Sequence, residues 1–180
     1  MNGLSLITGE RHGEFISTLV LEFMSKYRKE VLAKKFLFRH EEGALVHWEK
    51  KGSPHARLID ISKIEHISRF LDAVNDLSYV QPDIMIFKNN PCIKTKSGAK
   101  AAGFPDLLVE VWSYGNDSQH IHEKKTLYKT APITEHWYIS QDENEVECWL
   151  GDKQIATQNL KNVLKTQDGI EFDLRDLALP

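Results

Sequence analysis

Three features of the sequence predict an α+β fold. Ile84–Phe87 and Leu107–Trp112 are short apolar segments, each entered through a Pro-Asp pair, and read as strands. Residues 12–27 and 119–130 repeat apolar side chains at helical spacing. Strands and helices follow one another without the regular strand–helix–strand alternation of a doubly wound sheet.

The elements follow in order. Phe15, Ile16, Leu19, Val20, Phe23, Met24 and Tyr27 define the N-terminal helix. Residues 35–48 look like two strand segments around a turn at Glu42-Gly43. Ile64, Ile67, Phe70, Leu71 and Val74 predict a helix laid over the sheet. The two Pro-Asp strands come next, joined by a lysine-rich loop. Gly115-Asn116-Asp117-Ser118 is an N-cap cluster for the helix over 119–130, which Pro132 stops. Strands are expected at 136–140, at Glu145–Leu150 after the turn Gln141-Asp142-Glu143-Asn144, and at 154–157. The tail, 170–179, is expected to add an edge strand or a capping turn.

A chain of 180 residues that is 41% apolar can bury one core, so a single domain over residues 1–180 is expected. No run approaches the ~18 to 20 apolar residues of a membrane span, and the N-terminus lacks a signal-peptide pattern, so a cytoplasmic protein with no membrane partner is expected. Cys92 and Cys148 offer neither a disulfide framework nor zinc-ligand spacing. A net charge of -3 argues against a protein that coats nucleic acid non-specifically. Locally the balance reverses, because Lys88, Lys94, Lys96 and Lys100 follow one another with no acid between them. Such a run is either a solvated surface or one that tracks phosphates.

The chemistry concentrates around Glu110. Strand periodicity puts Asp106, Leu108, Glu110 and Trp112 on one face and Leu107, Val109 and Val111 on the other. An unpaired carboxylate in such surroundings costs several kcal/mol or takes up a proton, so Glu110 either points to solvent or meets a cation. Asp83 opens the preceding strand and converges with Glu110 if the two strands pair. Two converging carboxylates suit magnesium or manganese, although strand-end acids also serve as caps and surface charges.

The following helix offers the cation. At ~100° per residue, Ile121, Leu127, Tyr128 and Ala131 form an apolar arc with Lys124 near its centre, Lys125 at its edge and Glu123 opposite. A lysine in a core-facing arc snorkels or meets a partner. Glu110 is the nearest one in sequence, and a structural ion pair without chemistry is the alternative. His12 falls on the apolar side of its helix, as a core histidine or an accessory to the site.

Four segments in order, Gln81 to Phe87, Gly103 to Val111, Glu123 to Tyr128 and Ile133 to Ile139, resemble the Uma-type restriction endonuclease family of the PD-(D/E)XK nuclease superfamily. The likeness spans most of residues 80–149, and Arg11-His12 resembles the family's opening helix. It implies a restriction-endonuclease-like fold, a central mixed sheet flanked by helices. It also implies a hydrolase acting on nucleic-acid phosphodiester bonds with magnesium or manganese.

Carried over by residue, the resemblance makes Asp83 and Glu110 the metal-binding carboxylates. The superfamily's lysine usually lies two residues after the second acid, where this chain has Trp112; in the Uma-type branch it lies on the following helix, which matches Lys124. Asp106 is a weaker candidate for an accessory, and His120 stands where the family often has an aspartate. Lys94, Lys96 and Lys100 would line a groove for nucleic acid, DNA above RNA. A homodimer through an exposed strand around Trp137 and Trp149 is a candidate assembly. The alternative to catalysis is a nucleic-acid-binding or regulatory module that keeps the nuclease fold.

Overall fold

The computed structural model of the chain describes residues 3–33, 37–40, 46–49, 58–59, 77–88, 92–95, 98–101, 103–113 and 115–178. Helix α1 (Gly3–Leu32) is followed by strands β1 (Leu37–His40), β2 (Val46–Glu49), β3 (Leu58–Ile59), β4 (Leu77–Val80), β5 (Ile84–Phe87), β6 (Cys92–Thr95), β7 (Gly98–Ala101) and β8 (Leu107–Trp112). Helix α2 (Ser118–Tyr128) leads to β9 (Glu135–Ser140), β10 (Glu145–Leu150), β11 (Lys153–Asn159), β12 (Val163–Lys165) and β13 (Glu171–Asp173), and a 3-10 turn covers Arg175–Leu177.

Six strands form the main sheet in the order β1-β5-β8-β9-β10-β11. Only β8 and β9 run parallel; the other neighbours are antiparallel, so the sheet is mixed. A parallel pair needs a crossover, and α2 supplies it. Asp117 caps this helix by accepting from Gln119 N at 3.0 Å.

Both faces of the sheet centre are covered, which is why β5 and β8 are buried at every position. On one face Phe15, Leu19, Phe23 and Tyr27 of α1 pack with Ile84, Ile86, Val109, Val111, Trp137 and Ile139. Leu164, Phe172 and Leu174 from the C-terminal segment complete that cluster. On the other face Leu127 and Tyr128 of α2 pack with Met85, Phe87, Leu108, Trp112 and Tyr138. The α+β architecture predicted from the sequence is the one observed. Among the described residues, no helix is long and apolar enough to cross a membrane.

Several local readings change. The segments around residues 35–48 are strands, but β1 joins the main sheet beside β5, whereas β2 pairs with β3 and β4 in a separate one. Leu58-Ile59, the start of the segment expected to be helical, is the short β3; residues 60–76 lie outside the described residues. The lysine-rich connection carries a two-stranded ribbon, β6 with β7, which pairs Lys94 with Ala99 and Ile93 with Lys100. Lys96 lies outside the described residues. The tail does form a strand, β13, which pairs with β12 instead of extending the main sheet.

Trp137 is not on an exposed strand. It is fully buried, because β9 is covered on both faces and alternation along it carries no signal of exposure. Trp149 is half-buried, with the Lys129 amine 3.8 Å from its ring centroid. The Trp137 side chain therefore offers no surface to a second copy.

Candidate active site

The antiparallel pairing of β5 and β8 sets Ile84 against Val109, which brings Asp83, just before β5, beside Glu110. Asp83 Oδ2 accepts a hydrogen bond from Val111 N at 2.7 Å, fixing the aspartate across the strand pair. Glu110 is only 2% exposed. Its side chain lies on the α2 face, as the period-two reading requires, and there meets Lys124 Nζ at 2.9 Å from Oε1 and 3.1 Å from Oε2.

The Tyr128 hydroxyl also donates to Glu110 Oε1. Lys124 and Tyr128 are one helical turn apart, so the two groups reach the same carboxylate from one face of α2. Tyr128 falls in the resembling segment, but the sequence alone assigns it no role. The spacing from Lys124 to a second polar tip on the apolar arc was the signal that could have found it. Trp112, two residues beyond Glu110 on the same strand face, places its ring 5.3 Å from the Lys124 amine. That cation–π contact gives the amine a second partner beside its carboxylate.

Charge at the centre is finely opposed. Burial raises the Glu110 carboxyl from 4.5 to about 7; Lys124 works against this and the neighbouring Asp83 charge works with it. Tyr128 is held well above the usual phenol range, first by burial and then by the Glu110 charge. His136, buried beneath the same layer, is lowered to about 4 by desolvation. Its ring nitrogens meet the Tyr138 hydroxyl at 3.0 Å and the Ile133 carbonyl at 3.3 Å, which suits a neutral imidazole donating from Nε2.

A stability consequence follows. A folded-state pKa raised for an acid means that the folded chain holds more protons, so stability is fully present below about 4.5 and is lost as pH rises to about 7. At ~1.36 kcal/mol per pH unit the loss is about 3 kcal/mol for this buried group. The depressed His136 acts in the opposite sense, its contribution being lost as pH falls from 6.5 to about 4. Comparison with Glu110→Gln cancels the histidine. In urea titrations with a chelator present, the parent is expected to lose about 3 kcal/mol relative to that variant between pH 4 and pH 8. Parallel stability curves would show that Glu110 titrates normally.

The donor set bears on metal. Among the described residues no three His, Cys, Asp or Glu side chains converge. Magnesium, however, commonly takes one or two carboxylates and completes its shell with water and phosphate oxygens. Asp83 and Glu110, set side by side by the pairing of β5 with β8, fit that pattern. They supply hard oxygen donors of the type magnesium and manganese prefer.

The remaining candidates are placed elsewhere or in other roles. Asp106 Oδ2 accepts from Lys88 N at 2.7 Å, and the Asp106 backbone bonds to Ile86 O and Glu135 N. It ties the entry of β8 to its neighbours, about four residues along the strand from Glu110. His12 Nδ1 lies 3.4 Å from Gln141 Oε1, joining α1 to the turn after β9. His120 is exposed, one turn before Lys124. Lys125 is not the surface charge its place at the arc's edge suggested: its amine meets Glu147 Oε1 at 2.8 Å and lies 5.0 Å from the Tyr138 ring centroid.

None of the curated proteins compared with this sequence matches it. Among solved structures, the chain is similar to the "crystal structure of a putative nuclease belonging to DUF820 from Anabaena variabilis ATCC 29413". The TM-score is 0.58 and the identity 15%, over 94% of this chain and 82% of that one. That likeness establishes a shared fold. The family model Uma2, described as "Putative restriction endonuclease", matches residues 65–179, a span that holds Asp83, Glu110 and Lys124. On that match, which covers more than half of the chain, the protein belongs to the Uma2 restriction endonuclease family.

Proposed function

We propose that the chain is a metal-dependent nuclease that hydrolyses phosphodiester bonds of DNA or RNA. The observation that carries this reading is the Lys124 amine poised over both oxygens of a buried Glu110, with Asp83 alongside. Asp83 and Glu110 would hold magnesium or manganese, which when bound supplies a Lewis acid for a phosphate oxygen and lowers the pKa of an attacking water. Lys124 donates hydrogen bonds to that water or to the oxygens that gain charge as the P–O bond breaks. Tyr128 fixes the Glu110 carboxylate, and Trp112 keeps the amine within the site.

One observation favours a second reading. Both Glu110 oxygens already accept from Lys124, as they would in a structural ion pair of a binding module that has kept the fold. Metal titration separates the two. Asp83→Asn is expected to abolish magnesium or manganese binding, followed by calorimetry, and to raise stability without metal by relieving repulsion with Glu110. Unchanged metal affinity would remove Asp83 from the site.

Lys94, Lys96 and Lys100 are proposed to contact the nucleic-acid backbone. Changing all three to Ala is expected to weaken binding to duplex DNA and to reduce the salt slope by roughly two to three, at ~0.9 per lost phosphate contact. Unaltered affinity and slope would mark the ribbon as a solvated surface.

A further inference from the structure

A cavity of about 170 Å³ opens on the α2 face of the sheet beside the chemistry above, with Trp112 as the wall the two share. A void of ~150 Å³ can accept a benzene ring, so this one has room for a single aromatic ring. Its apolar lining is Trp112, Tyr138 and Ile121, and its acidic lining is Glu143, Glu145 and Glu147. The Trp112 and Tyr138 rings lie 6.4 Å apart at 18°, so their faces are nearly parallel. Trp112 also contacts Lys124, which places the cavity directly beside the candidate active site.

Charge and hydrogen bonding define the occupant. Lys125 also lines the cavity, but its amine is engaged by Glu147. The exposed Glu143 and Glu145 leave an acidic lining that repels phosphate and accepts from N–H groups. Trp112 is itself 6% exposed, and its indole N–H has no acceptor among the described residues. That nitrogen is itself covered, so the cavity meets the face of the ring and not its N–H. A ligand suited to the cavity is therefore a flat, single aromatic ring with amino hydrogens for the glutamates.

We infer that this cavity receives the amino-bearing single-ring nucleobase, cytosine, from an unpaired or extruded nucleotide next to the phosphate at Lys124. The inference rests on the nuclease reading for the position of that phosphate. Aromatic faces stack with any base. Carboxylates discriminate among them, since they accept from the cytosine amino group, whereas uracil and thymine present a carbonyl there. A base paired in a duplex cannot enter, so the substrate class is a strand with an unpaired cytosine at the cleaved position.

Free nucleosides test the cavity without metal or cleavage. Cytidine, adenosine and uridine are titrated into the full chain in chelator and followed by tryptophan fluorescence and by NMR. Cytidine is expected to bind at least tenfold more tightly than uridine, which lacks the amino group, and than adenosine, whose base has two rings. Glu145→Gln, at an exposed position, should cut that preference by about tenfold, and Trp112→Phe should remove most of the fluorescence response. Equal binding of uridine and cytidine, or no nucleoside binding, would overturn the inference. So would preferential binding of N-acetylarginine amide, which would assign the cavity to a cationic side chain of a protein. Selective nucleoside binding by a chain that cuts no DNA or RNA would sink the nuclease reading and leave a base-reading pocket. Cleavage without nucleoside selectivity would do the reverse.

Discussion

Lys124→Met is expected to lower metal-dependent cleavage by a hundredfold or more, the scale of one missing electrostatic stabiliser and about 2.7 kcal/mol of barrier. Methionine keeps an aliphatic stem against Trp112 and removes the amine. Stability alone would not distinguish catalysis from a structural pair, because breaking either leaves Glu110 buried without its cation, at a cost of ~3 to 5 kcal/mol. The readouts that matter are metal binding and cleavage in the same variant. Loss of Lys124 also raises the proton affinity of Glu110, since the lysine is the largest influence holding it down. Both measurements therefore belong above pH 8, where the carboxylate remains ionised more fully. Lys125 is a poor control, being paired with Glu147 and set against Tyr138. Lys161, exposed beyond β11, is a better one, and Lys161→Met is expected to cut normally. Equal activity of the two variants, or a parent that cuts no DNA or RNA with magnesium or manganese, would favour the structural ion pair.

Phe172→Ala is expected to destabilise the protein by ~3 to 5 kcal/mol, the usual cost of deleting a buried phenyl ring. Phe172 is fully buried although it lies in the short β13 near the end of the described chain. Its ring stacks on Phe23 of α1 at 4.3 Å and meets the edge of Trp137 at 5.6 Å, so it bridges helix and sheet. Deleting it leaves a void between three elements that cannot all close upon it. Val163→Thr, half-exposed on the partner strand, should stay within about 0.5 kcal/mol. Urea unfolding of both proteins decides the matter, and a Phe172→Ala cost below 1 kcal/mol would place the tail outside the core.

The two tests probe parts of the molecule that were legible to different degrees. Lys124 could be found from the sequence because a helix has one period, and a cation in the middle of an apolar arc contradicts it. Glu110 could be found for the equivalent reason on a strand. The Pro-Asp entries and apolar runs marked β5 and β8 with the ends they have in the structure. Local rules fixed these features, since periodicity and capping involve only neighbours along the chain.

What lies opposite a face is a different matter. That Lys125 pairs with Glu147, that Tyr128 donates to Glu110 and that Trp112 contacts the Lys124 amine depend on how α2 settles across β8, β9 and β10. Trp137 looked exposed because a central strand buried on both faces loses the alternation that would reveal its burial. The place of β1 beside β5 joins segments more than forty residues apart, and local pattern alone does not choose between that pairing and a hairpin with β2. The sequence by itself determined the helices and strands around the site, the charged residues out of keeping with them, and the family those residues resemble. Tertiary packing alone decided their partners, the burial that raises Glu110 to about 7 and the cavity beside Trp112, because each depends on side chains brought together from separate elements.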